Sequence, residues 1–331
     1  MPHKGLHTQV LVVLLRRPVS LQTIELQLKD FKIAGRAEIA PKWLMGGPSC
    51  AVAPRLSVAV PYRPDVNGYA WIDVVSGSWP DKMGHAEVDP EVFAAWGMGY
   101  FGPGAWPGCL ERACQHSLQW PDGRFLPLQH RAFLRIRCSY LFGADGEAPV
   151  MPKDYEPFQE LKFVTRIAVA LVRLPEVLCL FNPSGECVRD AGGFLDSLSY
   201  HESVSLPPLD VWSNVRFFRF TDMKPEWSLM DTVGMIQLDA PDHEAWFESG
   251  AYAPGEVGNF LRNASAYVMK HGPVINDGDT MNGPGNANWQ AFGVKEGRVV
   301  PPRPVVRWFP LDQRKAPAEL TASITNRAIR H

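Results

Sequence analysis

Residues 254–272 carry the periodic signal that most restricts what this chain can fold into. Val257, Phe260, Leu261, Ala264 and Val268 recur at the spacing of one face of an α-helix. Pro254 and Gly255 sit where a first turn tolerates them, and His271-Gly272 supplies a stop. A helix with one apolar stripe must lay that stripe on another element. Residues 229–238, just upstream, read as a strand, and an acidic turn, Asp239-Ala-Pro-Asp-His243, separates the two. A second acidic turn, Asn276-Asp-Gly-Asp279, follows the helix. Strand, turn, helix and turn in this order call for an α+β architecture.

The rest of the chain agrees with that class. Thirty prolines and 28 glycines scattered over 331 residues require many short elements joined by turns. Residues 10–15 read as a buried strand, and Ser20 caps a helix running to about residue 31. Alternation at 56–60 and 69–75, with turn residues between, predicts a hairpin. Short helices follow at 90–96 and 108–118, then a strand at 130–140. That strand puts Arg131, Arg135 and Arg137 on one face, which reads as solvated or, alternatively, as holding a phosphate or carboxylate, and Ala132, Leu134 and Ile136 on the other. A helix at 157–174 and strands at 177–181, 214–220 and 303–309 complete the pattern.

The turn-rich segment 143–152 is the natural break. The expected domains are an N-terminal lobe, 1–150, a C-terminal lobe, 151–311, and a weakly patterned tail, 312–331. Each half has a strand with an internal Asp (Asp73, Asp231), a Pro-Asp turn, a helix and an Arg-bearing strand. This order suggests an internal duplication: two similar α+β lobes with mixed, largely antiparallel sheets and packed helices.

A formal charge of −2 leaves no electrostatic footprint for nucleic acid or an anionic membrane. The six-residue apolar run at 10–15 is too short for a membrane span and has no cleavage site after it, so a cytoplasmic location is expected. The six cysteines contain no C-x-x-C pair and are expected as free, packed thiols. Eleven tryptophans and 17 phenylalanines call for a large aromatic core, or for aromatic surface that a partner covers.

The motifs that resemble catalytic or binding signatures fail on their context. Gly97-Met-Gly99-Tyr-Phe-Gly102 follows a helix rather than a strand, which excludes a dinucleotide fingerprint. The loop beginning at Asp277 has Met281, Asn282 and Asn288 at the fifth, sixth and twelfth positions, where a calcium loop needs an oxygen ligand, Gly and Glu. His243-Glu244 has Phe247 in place of the second His of a zincin. No nucleophile elbow, P-loop or kinase signature occurs. No catalytic residue, cofactor or metal is therefore assigned. Asp239, Asp242, His243, Asp277 and Asp279 still allow a metal-dependent hydrolase as an alternative. The competing reading has Asp239 or Asp242 capping a short helix that starts near His243.

The segments MDTVGMIQLDAPDHEAWF, VGNFLRNASAYVMKHGPVINDGDTMNGP and PPRPVVRW, with HRAFLRIRCSY, FNPSGE and NVRFFRF before them, resemble a bacterial family catalogued as a domain of unknown function. Members of that family occur beside type VI secretion effectors and include an immunity protein of a nuclease toxin. The resemblance spans roughly residues 50–310. It implies a non-catalytic, cytoplasmic immunity protein whose partner is a cognate toxin, a nuclease effector domain. An effector adaptor or chaperone is a further alternative. A nuclease binds a polyanion, so its inhibitor suits an acidic face with aromatic anchors. The expected partner interface is therefore Asp239, Asp242, His243, Trp246, Asp277, Asp279 and Trp289.

Overall fold

The computed structural model describes residues 4–37, 57–142 and 149–312. Most of the candidate linker, the tail from 313 onward and Cys50 lie outside them. The chain divides into two compact units, Met1–Trp212 and Ser213–His331. Each unit is built on its own sheet.

In the first unit a hydrophobic strand, β1 (Gln9–Leu15), runs through the middle of the sheet with all seven residues buried. Ser20 caps α1 (Leu21–Gln27) by accepting a hydrogen bond from the Thr23 N–H at 3.1 Å, as its position before the apolar repeat predicts. After β2 (Gly35–Ala37), the expected hairpin forms between β3 (Ser57–Arg63) and β4 (Gly68–Ser76), turning on Asn67 at φ 60°. Helices α2 (Pro90–Gly97) and α3 (Cys109–Gln115) precede β5 (Ala132–Ser139), and α4 (Pro157–Leu171) precedes β6 (Val177–Asn182) and β7 (Cys187–Arg189). The unit ends with α5 (Ala191–Ser203) and α6 (Leu209–Trp212).

The strand order is β2-β3-β4-β5-β1-β6-β7, and every neighbouring pair is antiparallel. Helices α1 and α4 pack on one face. The 79–114 segment covers the other with an aromatic cluster in which Trp79 meets Phe101, Phe133 and Phe181 at 5.1, 5.4 and 5.3 Å. Because β6 pairs with β1, residues 151–212 pack with the first unit, and the division falls at Trp212/Ser213 instead of near residue 150.

Of the three arginines only Arg131, just before β5, is solvated. Arg135 and Arg137 are both 0% exposed. Arg135 lies directly across from Asp73 of β4, whose carboxylate it meets at 3.0 Å, and Arg137 meets the same carboxylate at 2.7 Å. Tyr100 and Phe142 lie against the guanidinium groups. Alternation had separated the two faces of β5 correctly, but Asp73, on a different strand, turns the charged face into an interior one.

In the second unit β8 (Asn214–Phe220), β9 (Trp227–Val233) and β10 (Asp242–Glu248) form an antiparallel meander. Helix α7 (Pro254–His271) crosses the sheet, and β11 (Thr280–Asn282), β12 (Asn288–Val294) and β13 (Val305–Pro310) follow. The order is β11-β12-β13-β10-β9-β8, with β13 parallel to β10. Helix α7 buries Val257, Phe260, Leu261, Ala264 and Val268, the five residues of its sequence period, plus Ser265, and ends at Gly272. The architecture is α+β on two sheets. They differ in strand number, order and polarity, and what they share is an Asp–Arg pair on adjacent strands.

Three elements depart from the sequence reading. The strand expected at 229–238 ends at Val233, where Gly234 (φ 124°) opens a 3-10 turn, Met235–Leu238. The helix expected near His243 is β10. Its charged residues suggested a surface element, but they point into the sheet's interior against arginines. Helix α5 buries one side chain, Phe194, so it has almost no apolar period to detect. Among the described residues no helix is long and apolar enough to cross a membrane.

Glu160 of α4 is fully buried, and its carboxylate accepts a hydrogen bond from the Tyr155 hydroxyl at 2.9 Å. Burial raises its pKa above the ordinary glutamate value. The folded state therefore holds this proton more tightly than the unfolded chain. Stability falls as pH rises from about 4 through the raised value. Glu160→Gln should flatten this slope, which urea midpoints across a pH series would show; an unchanged slope would assign the pH dependence to other groups.

Candidate functional site

The second unit carries its chemistry on the sheet face opposite α7. Residues of period two place Arg216, Asp231, Glu244 and Arg307 side by side across β8, β9, β10 and β13. Asp231 receives Arg216 through Nε at 3.0 Å and Nη2 at 2.6 Å, a bidentate contact. Arg303, in the loop before β13, bridges two strands. Its Nη2 meets Asp231 at 2.6 Å and its Nε meets Asp242 at 3.0 Å. Arg307 pairs with Glu244 on the adjacent strand. Three guanidinium groups thus meet three carboxylates, all of them buried.

The two aspartates of this network differ in proton affinity. Burial pushes the Asp231 carboxyl upward, but Arg216 and Arg303 more than reverse this and hold it below the ordinary value. For Asp242 burial outweighs Arg303, and its pKa is raised. Asp242 also accepts from Thr232 Oγ1 at 2.9 Å and from the Gly234 and Met235 N–H groups at 3.3 and 3.2 Å. It therefore fastens the 3-10 turn after β9. The network holds the 298–303 loop as well, because Arg216 donates to the Val300 carbonyl at 2.7 Å, Arg303 to Pro301 at 2.8 Å, and Glu244 accepts from the Arg298 N–H at 3.1 Å.

The seven residues expected at an interface separate into two groups. Asp242, His243, Trp246 and Trp289 are buried, so they form no surface of this unit. His243 accepts from Trp308 Nε1 at 3.2 Å, and burial pushes its pKa down to about 3, which keeps the ring neutral. Trp246 donates to Glu244 at 2.8 Å. Trp289 stacks among Tyr252, Phe247 and Phe260. Asp239, Asp277 and Asp279 are exposed. Asp239 ends the 3-10 turn in a left-handed conformation, at φ 55°. Among the described residues no three His, Cys, Asp or Glu side chains gather as a metal-ligand set. The cluster required by the hydrolase alternative is therefore not assembled.

Asp277 and Asp279 are fixed despite their exposure. Asp277 Oδ1 accepts the Gly293 N–H at 2.6 Å, and Asp279 Oδ2 accepts the Asn276 N–H at 2.7 Å. Beyond them the chain enters β11 and then a turn at 283–287 that bounds a groove of about 370 Å³ against α7. Glu256, Asn259, Asn263, Asn282 and Asn286 supply its polar side chains. The turn needs its glycines. A Cβ on Gly283 would come within 2.6 Å of the Trp289 ring, and one on Gly285, at φ 69°, within 2.7 Å of Tyr252. Trp289, expected on the surface, is instead a support beneath this groove. The groove had a signal in the sequence, since Glu256, Asn259 and Asn263 are spaced as one helical stripe.

Residues 231–309 match DUF4261, a family described as a domain of unknown function. The match starts at Asp231 and ends at Phe309, so it contains every member of the charge network except Arg216. No curated protein and no solved structure matches the chain.

Removing one member of a buried charge network leaves its partners unneutralised. Asp231→Ala should therefore cost about 3–5 kcal/mol, or abolish recovery of folded protein. Exposed Asp239→Asn, which keeps a side chain suited to the left-handed backbone there, should stay within about 0.5 kcal/mol of the parent. Chemical denaturation of both variants measures the contrast.

Proposed function

We propose that the protein is a non-catalytic immunity protein that binds and neutralises a type VI secretion nuclease effector. The observation that carries this reading is the pair of exposed carboxylates at Asp277 and Asp279, held in place by backbone N–H groups. Fixed surface charges lose little freedom on binding, and acidic ones favour fast association with the basic cleft of a nuclease. The family resemblance of the segments around them supports the same reading. Inhibition by occupation of the nuclease cleft fits this surface best.

The test is co-purification with a nuclease toxin domain, sought first among the products of neighbouring genes, followed by calorimetry and a nuclease assay. A stable complex with loss of nuclease activity is expected; no association at micromolar concentration overturns the reading. Asp277→Lys combined with Asp279→Lys should weaken binding by roughly tenfold, chiefly through slower association, while the fold is retained with a melting temperature lowered by the two lost N–H acceptors.

A further inference from the structure

β11 is the terminal strand of the second sheet, and the phase of its hydrogen bonds shows which backbone groups face outward. Ala291 N–H donates to the Asp279 carbonyl at 2.9 Å, and Gly283 N–H donates to the Ala287 carbonyl at 2.9 Å. In an antiparallel pair alternate residues bond to the same neighbour. Asp279, Met281 and Gly283 therefore address β12, while Thr280 and Asn282 present N–H and C=O groups at the open edge.

The groove continues from this edge. None of the Asn259, Asn263, Asn282 and Asn286 carboxamides is hydrogen-bonded to another described residue. Each carboxamide offers donors and an acceptor, the complement of a peptide unit. The side chains along the track that carry charge, Asp277 and Asp279 at its start and Glu256 in the groove, are all acidic. Such a surface repels nucleic acid and favours a cationic polypeptide.

We infer that the β11 edge and the carboxamide groove beside it form one docking track for an extended, basic segment of a partner protein, which adds to the second sheet as a further strand. This deepens the binding reading above and rests on it for the partner's origin. Main-chain hydrogen bonds to Thr280 and Asn282 supply the register, the asparagines hold the segment's peptide groups where it leaves the edge, and the three carboxylates select lysine or arginine side chains. The short edge explains why strand addition needs these side chains as well: three residues alone give too few main-chain bonds for a stable strand.

The experiment uses the full chain and a fluorescein-labelled peptide of four Lys-Thr repeats, read by fluorescence polarisation. Submillimolar binding that weakens with salt is expected. A peptide N-methylated at alternate residues, or one of four Glu-Thr repeats, should bind about tenfold more weakly or not at all. Asn259→Arg with Asn263→Arg should cause a similar loss at unchanged melting temperature, and Thr280→Pro provides an independent block at the edge. No binding of the Lys-Thr peptide, equal binding of the N-methylated peptide, or full binding by the Asn259/Asn263 variant overturns the track. Toxin association with no peptide binding would remove the track and keep the immunity reading. Peptide binding with no toxin association would do the reverse.

Discussion

A carboxylate sealed from water must be met by cations or donors or take up a proton, and in both sheets arginines meet that need. Asp73 sits opposite Arg135 and Asp231 opposite Arg216, in each case on adjacent antiparallel strands. Side chains alternate along a strand, so a slip of one residue would turn the arginine to the other face and strand a buried charge. The ion pairs therefore specify register more strongly than apolar alternation does. In the second unit the same carboxylate also recruits Arg303, which brings in the 298–303 loop and through Asp242 the turn after β9. One buried charge thus ties three strands and two loops together.

The sequence was most legible where a single segment contained its own pattern. Helix α7, β1, the β3–β4 hairpin and the Ser20 cap followed from local spacing and cap chemistry. It misled where the decisive partner lay on another strand. The arginines of β5 resemble a wet face until Asp73 is placed beside them, and Asp-His-Glu in β10 resembles a helix start until Arg303 and Arg307 arrive from sixty residues downstream. The candidate interface divided for the same reason. Asp242 and Asp239 belong to one acidic turn in the sequence, yet one is drawn inside by arginine and the other stays in water. Asp277 and Asp279 remained on the surface because an Asp-Gly turn supplies their hydrogen-bond partners from its own backbone and from the neighbouring strand.

The second unit separates its polar groups by role. Its interior acids each have arginine or backbone partners, so their cost of burial is offset within the fold. Its surface acids near β11 are each held by a backbone N–H, with the Asn276 amide also donating to Asp279, and both face solvent. This division is the physical basis for proposing recognition on the α7–β11 side of the unit, with fold specification on the opposite face of the sheet.

The extent of the family match has a consequence for modularity. It opens at Asp231, in the middle of β9, and leaves out β8 with Arg216. A fragment cut to those limits would keep half of β9, expose a raw sheet edge and retain Asp231 with one of its two arginines. The matched segment is therefore shorter than the sheet that holds it, which also takes in β8 from Asn214. Any natural fusion or recombination that moves this segment between proteins must carry that strand, or supply another cation in its place.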